Sequence, residues 1–263
     1  MNTTVLIVAA GSGSRLQAGV PKALAALGDG RTLLEHCLES VAAAHASGAI
    51  ELNAVAVVLP SRQGAAAALE DVCRTFAAHR GITVRSVPGG AERADSVRAG
   101  LAAVRALSGE TAPGERHAVL VHDAARPLVP PAVFQAVMTA LGEGAAAAVP
   151  AIAVVDTIKT AAGTDSGGER VTGTLDRSEL RAVQTPQGFD LSALEAAHRR
   201  AEREGPAGAA ALTDDAMAME AAGHPVAVVP GDPLGFKITT PLDLMLANAL
   251  LDPSSPTPEE RHL

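Results

Sequence analysis

The sequence predicts an α/β protein built on a doubly wound, mostly parallel β-sheet. Short apolar runs alternate with helical patterns through the first 150 residues, as expected of parallel strands joined by crossover helices. The glycine-rich and charged motifs follow these apolar runs, at the edge of such a sheet where ligands bind. Between residues 151 and 188 the alternation stops, and two β-type segments around a turn indicate a protruding β-arm.

Each predicted strand of the alternating region is a short apolar run, of the kind that fills a buried parallel sheet. Gly11 directly follows the first run and Pro60 directly follows the second, so both runs have a clear carboxyl end. The five runs are Val5–Ala10, Ala54–Leu59, Ile82–Val87, Ala118–Val121 and Ala145–Val149.

Apolar residues at helical spacing separate these strands. Thr32 is placed to cap a helix that runs through His45 with its apolar side chains on one face. A second helix is predicted over Ser61–Ala78. A third follows Gly90 and has Val97, Leu101 and Val104 at helical spacing, and a fourth follows Pro130-Pro131. After the arm we predict a helix over Leu191–Arg203, a helix cap at Thr213, a strand over Val226–Val229 and a final helix from Pro241.

The arm is predicted over about residues 151–188, where Val154–Thr160 and Arg170–Leu175 flank a Gly- and Asp-rich turn at Ala162–Gly168. It has little core of its own, so we expect it to pack against a second copy of the chain in a homodimer. Residues 1–251 are predicted to form one domain that includes the arm. The Pro- and Ser-rich residues 252–263 are predicted to be a disordered tail.

The composition excludes several functional classes. The 263 residues include 21 Lys or Arg and 29 Asp or Glu, a formal charge of −8, and only 2% are aromatic. An acidic chain without Trp or Tyr is a poor nucleic-acid binder, because its negative net charge repels the phosphate backbone and it has few aromatic side chains on which bases could stack. No apolar run is long enough for a membrane span, and the two cysteines form no disulfide framework. We therefore expect a cytoplasmic protein without nucleic-acid or membrane partners.

The first candidate site is the loop Ala9-Ala10-Gly11-Ser12-Gly13-Ser14-Arg15, followed by Pro21-Lys22. Glycines after a strand let backbone N–H groups approach phosphate oxygens, and Arg15 and Lys22 are both placed to reach one polyphosphate. A dinucleotide fingerprint is disfavoured because Leu16 replaces its third glycine, and a P-loop is absent. An ordinary turn with two surface cations is the alternative interpretation.

Lysine usage favours the functional interpretation. The chain has eighteen arginines but only three lysines, Lys22, Lys159 and Lys237, and each stands in a motif-like context. The alternative is that these three lysines have no functional role and occur by chance in an arginine-rich chain.

Two further candidate sites follow later strands. Gly89 and Gly90 enter a helix whose first turn carries Arg93 and Ser96, where backbone amides favour an anion or a pyrimidine carbonyl. Asp123, in the stretch His122 to Pro127, is a candidate Mg²⁺ ligand at a strand end. The alternatives are a helix cap with a salt bridge at the first site, and a structural Arg126–Asp123 pair at the second.

The last group of candidates lies on and after the arm. Arg177 is suited to clamp a phosphate through two hydrogen bonds. The other motifs of this group are Asp156-Thr157, Gln184-Thr185-Pro186-Gln187, Thr213-Asp214-Asp215 and Lys237. For Thr213-Asp214-Asp215 a helix-capping role is the alternative.

Taken in order, these motifs resemble the 2-C-methyl-D-erythritol 4-phosphate cytidylyltransferase family of the non-mevalonate isoprenoid pathway. The resemblance runs from about Val5 to Leu246, and its most specific part is the pair GGxERxxSV and HDAARP. The full set is AAGxGxR, PK, GGxERxxSV, HDAARP, DTxK, DR, QTPQxF, TDDA and FKIT.

The resemblance implies a Rossmann-like nucleotidyltransferase sheet, a homodimer joined by its arms, and the use of CTP and Mg²⁺. It implies that Arg15 and Lys22 stabilise the transition state, and that Arg177 and Lys237, with Thr157, position the methylerythritol phosphate. It further implies that Thr157 and Arg177 serve the partner's site. The residues implied to line the CTP site are Ala9, Ala10, Gly11, Gly13, Gly90, Arg93, Ser96, Asp123 and Ala124.

Two segments depart from the family pattern. Leu234 and Gly235 stand where the family usually has polar residues before the last lysine, which puts the local substrate or metal contacts in doubt. The stretch Ala23–Gly30 differs from the usual continuation after Pro-Lys, and the length of 263 residues argues against a fused second enzyme.

Several alternatives stay open from the sequence. A ribitol-5-phosphate cytidylyltransferase would share the fold and the chemistry, and a sugar nucleotidyltransferase that uses UTP or another base is less favoured. A nucleotide-binding protein without turnover is the alternative from a different class.

Overall fold

The computed structural model describes residues 1–11, 16, 19–61, 63–90, 93–109, 116–164, 167–203 and 214–252. The tail predicted to be disordered falls outside the described residues from residue 253 onward.

Ten β-strands occur in the described ranges. They are β1 (Asn2–Val8), β2 (Leu52–Leu59), β3 (Val84–Pro88), β4 (His117–Asp123), β5 (Ala147–Ala153), β6 (Lys159–Gly163), β7 (Glu169–Thr174), β8 (Arg181–Val183), β9 (Gln187–Asp190) and β10 (Val226–Pro230).

Seven α-helices are described with them. They are α1 (Leu33–Ala46), α2 (Gln63–Arg80), α3 (Arg93–Ser108), α4 (Pro131–Gly142), α5 (Leu191–Arg203), α6 (Asp215–Ala221) and α7 (Pro241–Leu251). The predicted helix start at Thr32 is confirmed, since Thr32 and Glu35 form a reciprocal capping box, a motif that contributes about 1 kcal/mol.

The central sheet is mostly parallel and has the order β10-β5-β9-β4-β1-β2-β3. β1 pairs in parallel with both β2 and β4, and β10 pairs in parallel with β5. β9 lies antiparallel between β4 and β5, and β8 pairs antiparallel with the end of β5. The sequence analysis did not predict β8 or β9, because three or four residues are too few for a periodic pattern.

Helices cover both faces of the sheet, because successive strand side chains point to opposite sides. Val5 and Ile7 of β1 lie in one buried cluster with side chains of α1, α2 and α4. Leu6 lies between them in the chain, but it belongs to a second cluster with side chains of α3, α5 and α6. The predicted α/β fold with two helical layers is therefore confirmed.

The arm is a two-stranded antiparallel sheet of β6 and β7. All of its strand residues except Gly173 are exposed, so it has almost no core of its own. The predicted boundaries of 151–188 are too wide, because Arg181–Val183 and Gln187–Asp190 join the central sheet instead. The first predicted arm strand, Val154–Thr160, lies too early, since β6 extends from Lys159 to Gly163.

Among the residues that the structure describes, no helix has both the length and the hydropathy needed to span a membrane.

Candidate active site

Four loops meet at the carboxyl edge of the sheet, because the parallel strands β1 to β4 all end there. Backbone hydrogen bonds tie them together: Ala9 N donates to Val58 O over 2.9 Å, and Ala124 N donates to Val8 O over 3.2 Å. Gly89 N donates to Leu59 O over 2.7 Å. The predicted site residues after β1, β3 and β4 are thus brought to one edge from distant parts of the chain.

Gly89 and Gly90 are glycines because this edge is crowded. A Cβ atom at Gly89 would lie 2.8 Å from Ala10 Cβ, and one at Gly90 would lie 2.1 Å from Asp95 Cβ. Ser96 is buried and its Oγ accepts a hydrogen bond from Gly90 N over 3.2 Å. Ser96 therefore fixes the loop that enters α3. By contrast, Gly11 is exposed, and a Cβ atom at this position would have no neighbouring atom within 4 Å.

Arg93, at the start of α3, is held by a buried carboxylate. Its Nη2 donates to Asp215 Oδ2 over 2.8 Å, and His198 Nε2 lies 3.1 Å from Asp215 Oδ1. Burial alone would raise the pKa of Asp215, but the hydrogen bond with His198 and the charge of Arg93 lower that pKa below its ordinary value. Arg93 is thus fixed in direction while about a third of its side chain, 35%, stays exposed.

The TDDA motif divides into two roles. Asp214 caps α6, since its Oδ1 accepts from Met217 N over 3.0 Å, whereas Asp215 points inward to Arg93. Thr213, the predicted cap, lies outside the described residues. The role of His198 was missed by sequence analysis, because it lies in no motif and only the packing of α5 brings it to Asp215.

Asp123 and Lys237 form the charged centre of the edge. Lys237 Nζ donates to Asp123 Oδ2 over 2.7 Å, although 114 residues separate them. Burial would raise the pKa of Asp123, but Lys237, Arg126 and Arg93 together lower that pKa below its ordinary value. The carboxylate is therefore ionised at neutral pH and surrounded by cations.

Arg126 supports this centre mainly through backbone carbonyl groups. Its Nη1 donates to Gly235 O over 2.6 Å and its Nη2 to Val183 O over 3.3 Å, while its Nε lies 3.8 Å from Asp123 Oδ2. The structural pairing with Asp123 considered from the sequence is therefore present as a long contact.

His122 is a packed residue rather than a charged one. It is fully buried, its ring contacts Phe134 edge-on, and its Nδ1 lies 2.8 Å from Thr185 Oγ1. Burial lowers the pKa of His122 to about 4, so the ring is neutral at pH 7 and adds no positive charge to the edge. Thr185 Oγ1 also accepts from Asp123 N over 3.0 Å, which fixes the backbone of the charged centre.

Lys22 begins a short 3-10 helix, Lys22–Leu24, directly after Pro21. Its charge acts on Asp243 in the first turn of α7: burial would raise the pKa of Asp243, but hydrogen bonds from residues 239 and 240 and the charge of Lys22 lower that pKa. Lys22 and Lys237 thus both lie close to the start of α7. Arg15 and Gly13 lie outside the described residues.

The two segments that depart from the family pattern, Ala23–Gly30 and the stretch with Leu234 and Gly235, form hydrogen bonds within this part of the fold. In Ala23–Gly30, Gly28 N donates to Asn248 Oδ1 of α7 over 2.9 Å. Asp232 does not supply the missing polar contact beside Lys237, because its Oδ1 accepts from Leu234 N over 2.8 Å and serves the loop itself.

Thr157 and Arg177 are the predicted site residues that flank the arm. Both are exposed, and Arg177 Nη1 donates to Val155 O over 2.6 Å. Within the described ranges, no hydrogen bond or ion pair joins either residue to Asp123 or Lys237.

The mostly parallel sheet, with Lys237, Arg126 and Arg93 near Asp123 at its carboxyl edge, is suited to bind ligands that carry phosphate groups. The family model of 2-C-methyl-D-erythritol 4-phosphate cytidylyltransferase matches residues 3–253. A relative with that name from Corynebacterium diphtheriae is 43% identical over 252 residues, 96% of this chain and 94% of the relative. One with the same name from Streptomyces coelicolor is 43% identical over 95% of this chain and 84% of its own length.

A solved structure agrees with these relatives. The crystal structure of 2-C-methyl-D-erythritol 4-phosphate cytidylyltransferase from Thermus thermophilus has a TM-score of 0.67 and 35% identity, covering 95% of this chain and 98% of the other. The chain belongs to the 2-C-methyl-D-erythritol 4-phosphate cytidylyltransferase family, and it is an enzyme of the nucleotidyltransferase type.

Proposed function

We propose that this chain transfers the cytidylyl group of CTP to 2-C-methyl-D-erythritol 4-phosphate. The products are 4-diphosphocytidyl-2-C-methyl-D-erythritol and pyrophosphate, in isoprenoid precursor biosynthesis. The observation that carries the proposal is the Lys237–Asp123 pair at the carboxyl edge, within a chain that matches the family model over residues 3–253. Two phosphate-bearing substrates must meet at such an edge, and their negative charge is the main barrier to the reaction.

No general base is needed for this transfer. A phosphate monoester has a second pKa of about 6, so at neutral pH its oxygen is already a charged nucleophile. This oxygen attacks the α-phosphorus of CTP, the new P–O bond forms, and the bond to the leaving pyrophosphate breaks in line. The neutral, buried His122 is consistent with a site that works through positioning and charge.

The donor side is assigned to the loops after β1 and β3. Backbone amides at the entrance to α3 and the fixed guanidinium of Arg93 suit the nucleotide, with Arg15 and Lys22 assigned to the triphosphate. The other residues assigned to CTP are Ala9, Ala10, Gly11, Gly13, Gly90, Ser96, Asp123 and Ala124.

Mg²⁺ is proposed as the cofactor, and Asp123 is the residue that would hold it. Mg²⁺ is commonly bound by one or two carboxylates together with substrate phosphates, and Asp123 is an ionised carboxylate at the edge. Among the described residues no cluster of three His, Cys, Asp or Glu side chains forms a protein cage for a metal. When bound, Mg²⁺ would neutralise charge on the triphosphate.

The acceptor side is assigned to Lys237 together with Arg177 and Thr157 of a second copy. The arm and the residues that lead into it support a homodimer because they expose apolar side chains that a partner would cover, such as Val155 and Val171, which are 77% and 58% exposed. Thr157 precedes the arm in the chain and Arg177 follows it, and in the described residues neither makes a hydrogen bond or ion pair with Asp123 or Lys237 of its own chain. The cytoplasm remains the predicted compartment.

Subunit mixing tests the assignment of Arg177 to the partner's site. When Lys22→Ala and Arg177→Glu chains are co-expressed, the mixed dimer has one site with neither substitution, if Arg177 acts in the partner's site. Random pairing then restores roughly a quarter of wild-type turnover, whereas each variant alone is weakly active. Mixtures no more active than the average of the two variants would place Arg177 in its own chain's site, or outside the site.

The reaction itself is tested by pyrophosphate release in the presence of Mg²⁺. We expect release from CTP with 2-C-methyl-D-erythritol 4-phosphate, little with ribitol 5-phosphate, and little when UTP replaces CTP. Release with ribitol 5-phosphate alone would support cytidylyl transfer but would show that ribitol 5-phosphate is the acceptor. CTP binding without release with either acceptor would overturn the proposal in favour of a non-catalytic nucleotide-binding protein.

A further inference from the structure

The loop that carries Lys237 is anchored at its start by the side chain of Gln184. Gln184 follows β8 and continues the pairing with β5, since its N donates to Pro150 O over 2.7 Å. Its side chain is 4% exposed. It reaches across the sheet to the residues that follow β10, which are called here the 231–238 loop.

The carboxamide of Gln184 bonds both backbone groups of one residue. Its Nε2 donates to Asp232 O over 2.8 Å, and its Oε1 accepts from Asp232 N over 3.0 Å. Only a side chain with a donor and an acceptor side by side can do this, which Gln has and Glu or Leu lacks. One buried side chain therefore makes the two backbone hydrogen bonds with the loop that a neighbouring strand would otherwise make.

Two glycines leave the space that this carboxamide fills. A Cβ atom at Gly231 would lie 2.4 Å from Gln184 Oε1, and one at Gly235 would lie 2.8 Å from the same oxygen. In this chain, the absence of a side chain at position 235, where the family pattern has a polar residue, leaves room for the carboxamide. A larger residue at position 235 would displace the carboxamide or the loop.

The far end of the same loop is fixed by the segment that carries Asp123. Gly235 O accepts from Arg126 over 2.6 Å, and Ile238 N donates to Ala125 O over 2.9 Å. Between these two contacts lies Lys237, whose Nζ reaches Asp123 over 2.7 Å. The position of Lys237 thus depends on anchors at both ends of the loop. At its start, the side chain of Gln184 acts beside a backbone hydrogen bond from Gly231 N to Ala151 O over 2.9 Å.

We propose that Gln184 is a positioning residue of the acceptor site: it fixes the 231–238 loop so that Lys237 is presented to Asp123 and to the acceptor phosphate. The inference rests on the proposed role of Lys237 in binding the acceptor. Thr185, the next residue, holds the backbone of Asp123, so the dipeptide Gln184-Thr185 sets both members of the Lys237–Asp123 pair.

Steady-state kinetics of Gln184→Ala test this inference. We expect the KM for 2-C-methyl-D-erythritol 4-phosphate to rise about tenfold, while the KM for CTP changes less than about twofold. Thr4→Val is the matched control, because it removes another buried hydrogen bond, 3.0 Å to His117, at the opposite edge of the sheet. The control should lose stability without a change in either KM. Equal rises of both KM values in Gln184→Ala, or the same pattern in the control, would show a structural role only and overturn the inference.

A second pair of variants tests the contact with Gly235. Gly235→Ala should raise the acceptor KM by itself, because its Cβ atom meets the carboxamide of Gln184. In the Gln184→Ala background that space is empty, so Gly235→Ala should add little further effect. Additive effects would contradict the anchor. If Gln184→Ala does not fold, Gln184→Glu, which keeps the size but removes the donor to Asp232 O, replaces it in the steady-state comparison of the two KM values.

Kinetics of Lys237→Ala distinguish a failure of the role proposed for Gln184 from a failure of the role proposed for Lys237. A raised acceptor KM in Lys237→Ala with an unchanged one in Gln184→Ala would overturn the role of Gln184 and leave the proposed function intact. An unchanged acceptor KM in Lys237→Ala would overturn the assignment of Lys237, and the positioning role of Gln184 with it.

Discussion

Lys22→Ala is expected to reduce kcat about 10²- to 10³-fold while the protein stays folded. Lys22 lies on a 3-10 helix, and its charge acts on Asp243 in the first turn of α7, the helix that directly follows the Lys237 loop. A cation placed near developing charge acts mainly in the transition state, so its loss lowers kcat more than it raises the KM for CTP. Initial-rate kinetics with both substrates varied measure the two effects separately.

Arg74→Ala is the control for the loss of one positive charge. Arg74 is an exposed residue of α2 that pairs with Asp71, and its removal changes net charge without touching the edge of the sheet. Its kcat should remain close to wild type. Turnover near the wild-type value in Lys22→Ala would remove Lys22 from the catalytic assignment.

Asp123→Asn is expected to lower kcat/KM about 10²-fold and to raise the Mg²⁺ concentration that gives half-maximal activity. The substitution keeps the size of the side chain but removes the negative charge that faces Lys237 at 2.7 Å. Because the pKa of Asp123 is lowered, the carboxylate stays ionised at neutral pH. The stability that this charge contributes is present above the ordinary pKa of about 4 and is lost as the pH falls through the lower pKa of the folded protein.

Asp190→Asn is the matched control for this substitution. Asp190 also belongs to an ion pair, with Arg116 at 3.3 Å, but it lies at the opposite end of β4 from Asp123. An asparagine there can still accept the hydrogen bond from Ala193 N that begins α5. An Mg²⁺ titration of activity and urea unfolding should therefore distinguish the two variants. A half-maximal Mg²⁺ concentration unchanged by Asp123→Asn would remove Asp123 as the metal ligand.

The sequence predicted the fold well where the signal is local. Thr32 and the apolar face that follows it were enough to define α1, and the run at Ala54–Leu59 was enough to define β2. The short strands β8 and β9 were missed, because their place depends on β5 and β4 rather than on their own residues. The arm was predicted as a hairpin but with wide boundaries, for the same reason.

The candidate site was predicted as a set of residue types, and the structure supplied the contacts between them. Asp123, Lys237 and Arg93 were all named from motifs, yet nothing local indicates that Lys237 pairs with Asp123 or that Arg93 is held by Asp215 and His198. Gln184 was noticed only as part of a motif, without a role. Gly235, which the sequence marked only as a departure from the family pattern, leaves the space that the carboxamide of Gln184 fills.

The α/β class and the charged candidate residues could therefore be read from the residues alone, because they depend on periodicity and on residue types at short spacing, while the family came from the resemblance of the ordered motifs. Only the tertiary structure decided which of those charges meet, and which side chains hold them. Contacts such as Gln184 to Asp232, across 48 residues, depend on the order in which strands join the sheet. That order is set by the packing of the whole core, so no short segment of the chain contains it.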